Sequence, residues 1–240
     1  MLSDPGSKVI REFGILNTTV PATDFHYGIP YPGTYIVNRD GIVQSKYFEQ
    51  AFQDRYSAPT ILLREFGSDA GTRQSDVKTA QLEIKYYSTV DPVRPNVRFT
   101  LVTEFELKPK VHVYAPGVQG GYIPIDLQID PSPNYSVHPA AYPKSERLFL
   151  PAIKETVSVF QNKFQVSRDI TMASEKDLQA VLAGAREVKL TGHLRYQACD
   201  DKICYLPQNL PMEWVLKVNP LDRERVPEPI QHKAPVTSGQ

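Results

Sequence analysis

The sequence predicts a mainly β protein, an immunoglobulin-like antiparallel β-sandwich preceded by a smaller mixed α/β segment. Three observations carry that reading. Proline accounts for 21 of 240 residues, about 9% against about 5% in average usage, which favours strands and turns over long helices. From Thr79 onward the hydrophobic pattern has period two, as half-buried strands require. The candidate strands are punctuated by Pro, Gly and Asn at short intervals, the spacing of a sandwich built from short strands.

Residues 1–67 read as the α/β part. Val9, Ile10 and Phe13 have helical spacing over Ser7 to Phe13, and Gly14 is placed as the stop. Tyr35-Ile36-Val37 and Ile42-Val43 flank Asn38-Arg39-Asp40-Gly41, a hairpin signal with Asp-Gly at the turn. A second helix is expected over Ala58 to Phe66, with Ile61, Leu62 and Phe66 on one face and Pro59 in its first turn. The polar, glycine-rich stretch after Gly67 reads as a linker over 68–78.

The sandwich is expected over 79–218. Its strands are placed at Gln81 to Tyr87, Val97 to Leu107, His112 to Tyr114, Tyr122 to Ile129, Thr156 to Phe160, Phe164 to Met172, Val188 to Tyr196 and Met212 to Val218. A helical turn at Ser174 to Leu182 opens with Ser174-Glu175-Lys176-Asp177, a capping box with Asp in the last position. Residues 219–240 are proline-rich and nearly devoid of apolar side chains, the composition of a disordered tail. The 27 basic residues balance the 27 acidic ones, so net charge points to neither nucleic acid nor a membrane surface. The first six residues have neither the basic nor the apolar region of a secretory signal.

The chemistry centres on the only two cysteines, Cys199 and Cys204, separated by Asp200-Asp201-Lys202-Ile203. A strand runs into Cys199 and polar residues make a turn, a connection able to hold two Cα atoms at the roughly 4.4–6.8 Å a disulfide needs. So short a loop removes little unfolded-chain entropy, which argues against a purely structural staple and for thiol–disulfide exchange. A structural or incidental pair remains the alternative. A zinc half-site is weaker, because two more soft ligands are missing and the five histidines are scattered. Asp200 and Asp201 would raise thiol pKa values and Lys202 would lower them.

Three segments occur in a recognisable order: Leu107-Lys108-Pro109-Lys110-Val111-His112-Val113-Tyr114-Ala115-Pro116-Gly117, then Tyr142-Pro143-Lys144-Ser145-Glu146, then Tyr196-Gln197-Ala198-Cys199 through Cys204-Tyr205-Leu206-Pro207. With them, residues 79–218 resemble the family of N-terminal periplasmic domains of the thiol:disulfide interchange protein DsbD. The resemblance implies an immunoglobulin-like fold with a redox pair on a hairpin, here Cys199 and Cys204. It also implies that electrons arrive from a thioredoxin-like domain and pass to oxidised extracytoplasmic proteins, without cofactor or metal. His112 and Tyr114 then stand beside the pair, with Tyr196 and Tyr205 flanking it. Tyr142 falls in the segment resembling the family's cap loop, although Ala141 before it is a poor lid.

Leu2-Ser3-Asp4-Pro5-Gly6-Ser7 with Ile29-Pro30-Tyr31-Pro32-Gly33-Thr34-Tyr35-Ile36-Val37 resembles the second half of a thioredoxin-like redoxin of the AhpC/TSA type. The resemblance implies a cis proline before the strand, at Pro32 or Pro30, and a chain truncated from a longer fusion. No cysteine precedes Cys199, so this segment has no thiol chemistry of its own. The function expected is thiol–disulfide exchange with thioredoxin-like proteins and oxidised protein substrates. The alternative is a non-catalytic, protein-binding sandwich with a structural disulfide.

Overall fold

The computed structural model describes residues 4–49, 55–67, 72–151 and 154–221. A 3-10 turn (Pro5–Ser7) leads into α1 (Lys8–Glu12), followed by β1 (Gly33–Val37), β2 (Val43–Phe48), β3 (Arg55–Tyr56) and α2 (Ala58–Phe66). Then come β4 (Thr72–Lys78), β5 (Leu82–Ser88), β6 (Val97–Leu107), β7 (His112–Tyr114), β8 (Asp126–Ile129), β9 (Tyr135–Ala141), β10 (Glu146–Leu150), β11 (Glu155–Gln161) and β12 (Lys163–Met172). The chain continues through α3 (Gln179–Ala183), β13 (Glu187–Tyr196), β14 (Ala198–Cys199) and β15 (Gln208–Lys217). No described helix is long and apolar enough to cross a membrane.

The expected mainly β, antiparallel architecture is present. One sheet runs β4-β5-β6-β12-β9, with the short β3 lying parallel to the start of β6. A second runs β15-β13-β8 and a third β10-β11-β7-β14. The last two are joined through the chain itself, because β13 passes through Gln197 into β14. Period-two alternation sets which face turns inward: Met212, Trp214 and Leu216 are buried on β15 while Glu213, Val215 and Lys217 are exposed. Val188, Leu190, Leu194 and Tyr196 of β13 join them in one core with Ile84, Phe99, Leu101, Phe105, Val166 and Ile170 of the larger sheet. Gly192 occupies the one inward position of β13 where a Cβ would lie 2.1 Å from the Gln128 carbonyl oxygen of β8, so the strand needs glycine there to approach its neighbour.

α2 spans the expected residues for the expected reasons. The Ser57 side chain accepts from the Thr60 N–H, Pro59 sits in the first turn, and Gly67 closes the helix in the left-handed conformation. It packs on the larger sheet through polar groups. The Thr60 hydroxyl meets Thr89 at 2.9 Å, the Thr100 hydroxyl donates to Asp169 at 2.8 Å, and Arg64 forks both Asp169 oxygens at 2.7 and 2.8 Å. Arg98 pairs with Glu49, and the Arg64 and Arg98 guanidinium groups both lie over the Tyr56 ring. Of the capping box expected at Ser174, one half forms: the Ser174 hydroxyl accepts from the Asp177 N–H and donates to the Asp177 carboxylate, while α3 itself starts only at Gln179 with no side-chain cap.

Several expectations are corrected. The stretch read as a linker over 68–78 becomes strand β4 from Thr72 onward, paired with β5, because β5 has an open edge and its backbone groups need partners. Residues 68–71, and the tail from 222 onward, lie outside the described residues. β8 begins at Asp126 rather than Tyr122. β9 and β10 were not expected as strands. The one cis peptide bond among the described residues precedes Pro92, so the bonds before Pro30 and Pro32 are trans.

Candidate functional site at the Cys199–Cys204 hairpin

Cys199 and Cys204 form a disulfide with Cα atoms 4.0 Å apart, a little closer than the range expected of the turn. The hairpin builds itself around Asp200. Its backbone N–H donates to the Ile203 carbonyl at 2.9 Å, and the Tyr205 N–H donates to the Ala198 carbonyl at 2.9 Å. The Asp200 carboxylate accepts from the Lys202 and Ile203 N–H groups, each at 2.8 Å, and from the Tyr205 hydroxyl at 2.7 Å. These donors, the Ile203 amide foremost, hold the Asp200 pKa down at about 2. The same bond, seen from the other side, raises the Tyr205 pKa.

β7 lies between β11 and β14, with His112 opposite Gln161 on one side and Cys199 on the other. Residues 112 and 114 share a strand face, so His112 and Tyr114 both turn towards the disulfide. The Tyr114 hydroxyl lies 3.4 Å from Cys199 Sγ and 3.6 Å from Cys204 Sγ. Neither sulfur of a disulfide carries a proton, so the phenol donates to them as weak acceptors. Tyr122 packs against Tyr114 with ring centres 4.4 Å apart and planes tilted by 31°, and it donates to Glu155 at 2.6 Å. That bond pushes the Tyr122 pKa up to about 12. Burial raises the pKa of Tyr114 and lowers that of His112, the latter opposed by the Asp200 charge. His112 is 1% exposed and its Nε2 has no hydrogen-bond partner.

The two sulfurs are not equivalent: Cys199 is 1% exposed, whereas Cys204 is exposed. Both line a cleft of about 400 Å³ whose floor also holds His112 and Tyr114. Its wall is Leu148 to Pro151, from β10 and the turn after it, and the hairpin residues 200–203 close the other side. Phe149 and Ile203 are 56% and 57% exposed at the rim.

Of the residues singled out from sequence, Cys199, Cys204, His112 and Tyr114 come together. Tyr205 braces the hairpin from behind through Asp200. Tyr196 and Tyr142 do not line the cleft. Tyr196 is fully buried on the inward face of β13 with its hydroxyl 3.4 Å from that of Thr79. Tyr142 stacks on Phe160, and its hydroxyl accepts from the Leu127 N–H at 3.3 Å. The place beside the disulfide expected of the Tyr142 segment is taken by Leu148 to Pro151. Sequence reasoning missed this wall and Tyr122. The signal for the wall was the run Leu148-Phe149-Leu150-Pro151, three apolar residues at the end of a short strand followed by a proline in the turn.

A β-sandwich with a disulfide at a hairpin tip, one sulfur sheltered and one open to a cleft, defines a class of thiol–disulfide proteins. The family model described as "Thiol:disulfide interchange protein DsbD, N-terminal" matches residues 84–213, and the chain belongs to that family. Among solved structures it is similar to the N-terminal periplasmic domain of ScsB from Proteus mirabilis, at 12% identity and TM-score 0.39, covering 60% of this chain and 51% of that one. It is also similar to the reduced N-terminal domain of DsbD from Neisseria meningitidis, at 16% identity and TM-score 0.33, covering 49% of this chain and 77% of that one. The chain thus spans about half the length of the ScsB domain. Comparison with curated proteins finds no match.

Proposed function

We propose that the chain is a thiol–disulfide exchange module that accepts electrons from a thioredoxin-like donor and passes them to oxidised protein partners through Cys199 and Cys204. The observation that carries the proposal is the asymmetry of the pair. Cys204 is open to a cleft with an apolar rim, and Cys199 is buried behind it. Exchange requires one sulfur that a partner can reach and one that resolves the mixed disulfide. Cys204 takes the first role and Cys199 the second. An inert staple would need neither the opening nor the rim. The exchange unit begins with β4, and the segment of residues 1–67, which has no cysteine, acts as scaffold. We read that segment as a redoxin-like remnant, on the strength of its Pro-Gly-Thr-Tyr-Ile-Val hairpin strand.

Trapping tests the assignment of roles. Cys199→Ala should accumulate a covalent adduct with a thioredoxin-like partner that lacks its own resolving cysteine, seen on non-reducing gels. Cys204→Ala should accumulate far less. Equal trapping, or trapping only through Cys199, overturns the assignment.

A further inference from the structure

We propose that His112 is the base that takes the proton from the Cys199 thiol as the internal disulfide re-forms; this rests on the exchange function proposed above and assigns its proton path. In the reduced protein Cys199 is a thiol at a position 1% exposed in the disulfide form. Only the thiolate is nucleophilic, and apolar burial favours the thiol. Solvent has poor access to that proton, so a neighbouring group must accept it.

His112 stands directly opposite Cys199 on the adjoining strand. Opposed antiparallel residues project on one face with Cβ atoms about 4.5–5.5 Å apart, and both residues line the same cleft. The buried Nε2 of His112 has no partner, which leaves a lone pair free when the neutral ring carries its proton on Nδ1. Burial keeps the ring neutral and ready to accept. The groups facing it fit the charge that develops. Asp200 and Asp201 come from the hairpin with Lys202, Lys110 precedes β7, and β11 offers the uncharged Gln161. The Asp200 carboxylate favours the imidazolium, while the Tyr114 hydroxyl, 3.4 Å from Cys199 Sγ, can donate to the thiolate.

The steps balance. The Cys204 thiolate attacks a partner protein's disulfide, forming a mixed disulfide and releasing the partner's first thiolate. Cys199 S–H then gives its proton to His112 Nε2. The Cys199 thiolate attacks Cys204 Sγ, and the bond to the partner breaks with its electron pair on the partner's sulfur. Cys199 and Cys204 are oxidised by two electrons and the partner is reduced to a dithiol. The imidazolium returns its proton to the departing thiolate or to water.

The test mixes the reduced full chain with dithiobis-nitrobenzoate in a stopped-flow instrument. The first nitrothiobenzoate released reports modification of Cys204, and the second reports attack by Cys199. His112→Asn should slow the second release about 100-fold relative to the first near neutral pH, the lower range for a general base. Unaltered second release in a folded His112→Asn protein overturns the proposal. The unmodified chain supplies an independent check that does not depend on the variant folding. Its second-release rate should show two inflections with pH, one in the imidazole range and one in the thiol range. A single thiol inflection overturns the role of His112 while leaving exchange intact. Absence of any second release from the unmodified chain overturns the exchange reading itself.

Discussion

Arg64→Met removes one ion pair that joins the N-terminal segment to the sandwich, leaves the Arg98–Glu49 pair in place, and keeps most of the side chain's bulk. Arg64 donates to both oxygens of Asp169, whose side chain is 11% exposed against 33% for Arg64. Without the guanidinium, the Thr100 hydroxyl remains as the one hydrogen-bond donor shown for that carboxylate. Removing one partner of a fully buried pair costs about 3–5 kcal/mol, and exposed pairs are worth at most about 1 kcal/mol. The partial exposure of Arg64 places this pair between them, at about 2–3 kcal/mol. With a urea dependence of about 2–3 kcal/mol per molar, the unfolding midpoint should fall by about 1 M. The assay is urea unfolding followed by far-UV circular dichroism and by Trp214 fluorescence, the latter reporting from the core. A loss below about 0.5 kcal/mol would refute the reasoning, because Asp169 would then be adequately solvated without its partner. A second, earlier transition in only one probe would show that the segment unfolds apart from the sandwich.

Two further outcomes follow from backbone packing and from the hairpin. Gly192→Ala places a methyl 2.1 Å from the Gln128 carbonyl, so β8 and β13 must separate; overpacking of this kind costs about 1–3 kcal/mol, measurable as a lowered Tm. For Asp200, the folded pKa of about 2 lies below the ordinary value of 3.8, so its stabilising contribution is present above about pH 4 and is lost as pH falls through about 2. The stability difference between the native chain and Asp200→Asn should therefore be constant above pH 4 and shrink below it. A difference that grows with acid would contradict the hydrogen-bonded carboxylate.

The legible parts of this sequence are those where local chemistry and tertiary packing agree. α2 carries its own start and stop in Ser57, Pro59 and Gly67, and it forms at the residues expected. β6, β13 and β15 bury alternate apolar residues, and the pattern shows through. β4 is different: Thr72-Arg73-Gln74-Ser75-Asp76 is polar, and it becomes a strand because the edge of β5 offers partners. β9 contains Pro139 and two alanines and pairs along one edge only, with β12, a placement that tolerates proline. At the site, the cysteine pair was legible from its short spacing across a turn, and His112 and Tyr114 from the family resemblance of their segment. The cleft wall was not legible, because Leu148 to Pro151 reach the disulfide through the pairing order β10-β11-β7-β14. Tyr196 was expected at the pair from its nearness in sequence and Tyr142 from its place in the cap-like segment, yet β13 turns Tyr196 into the core and Tyr142, just past β9, packs against that core.

The central claim is that Cys199 and Cys204 cycle as one two-electron couple. Equilibrating the full chain across a series of glutathione or dithiothreitol redox buffers, then alkylating and weighing the intact protein, tests it most directly. A single transition is expected between a form carrying two alkyl groups and a form carrying none. A pair that stays oxidised at every reducing poise, or reduced at every oxidising one, would contradict it.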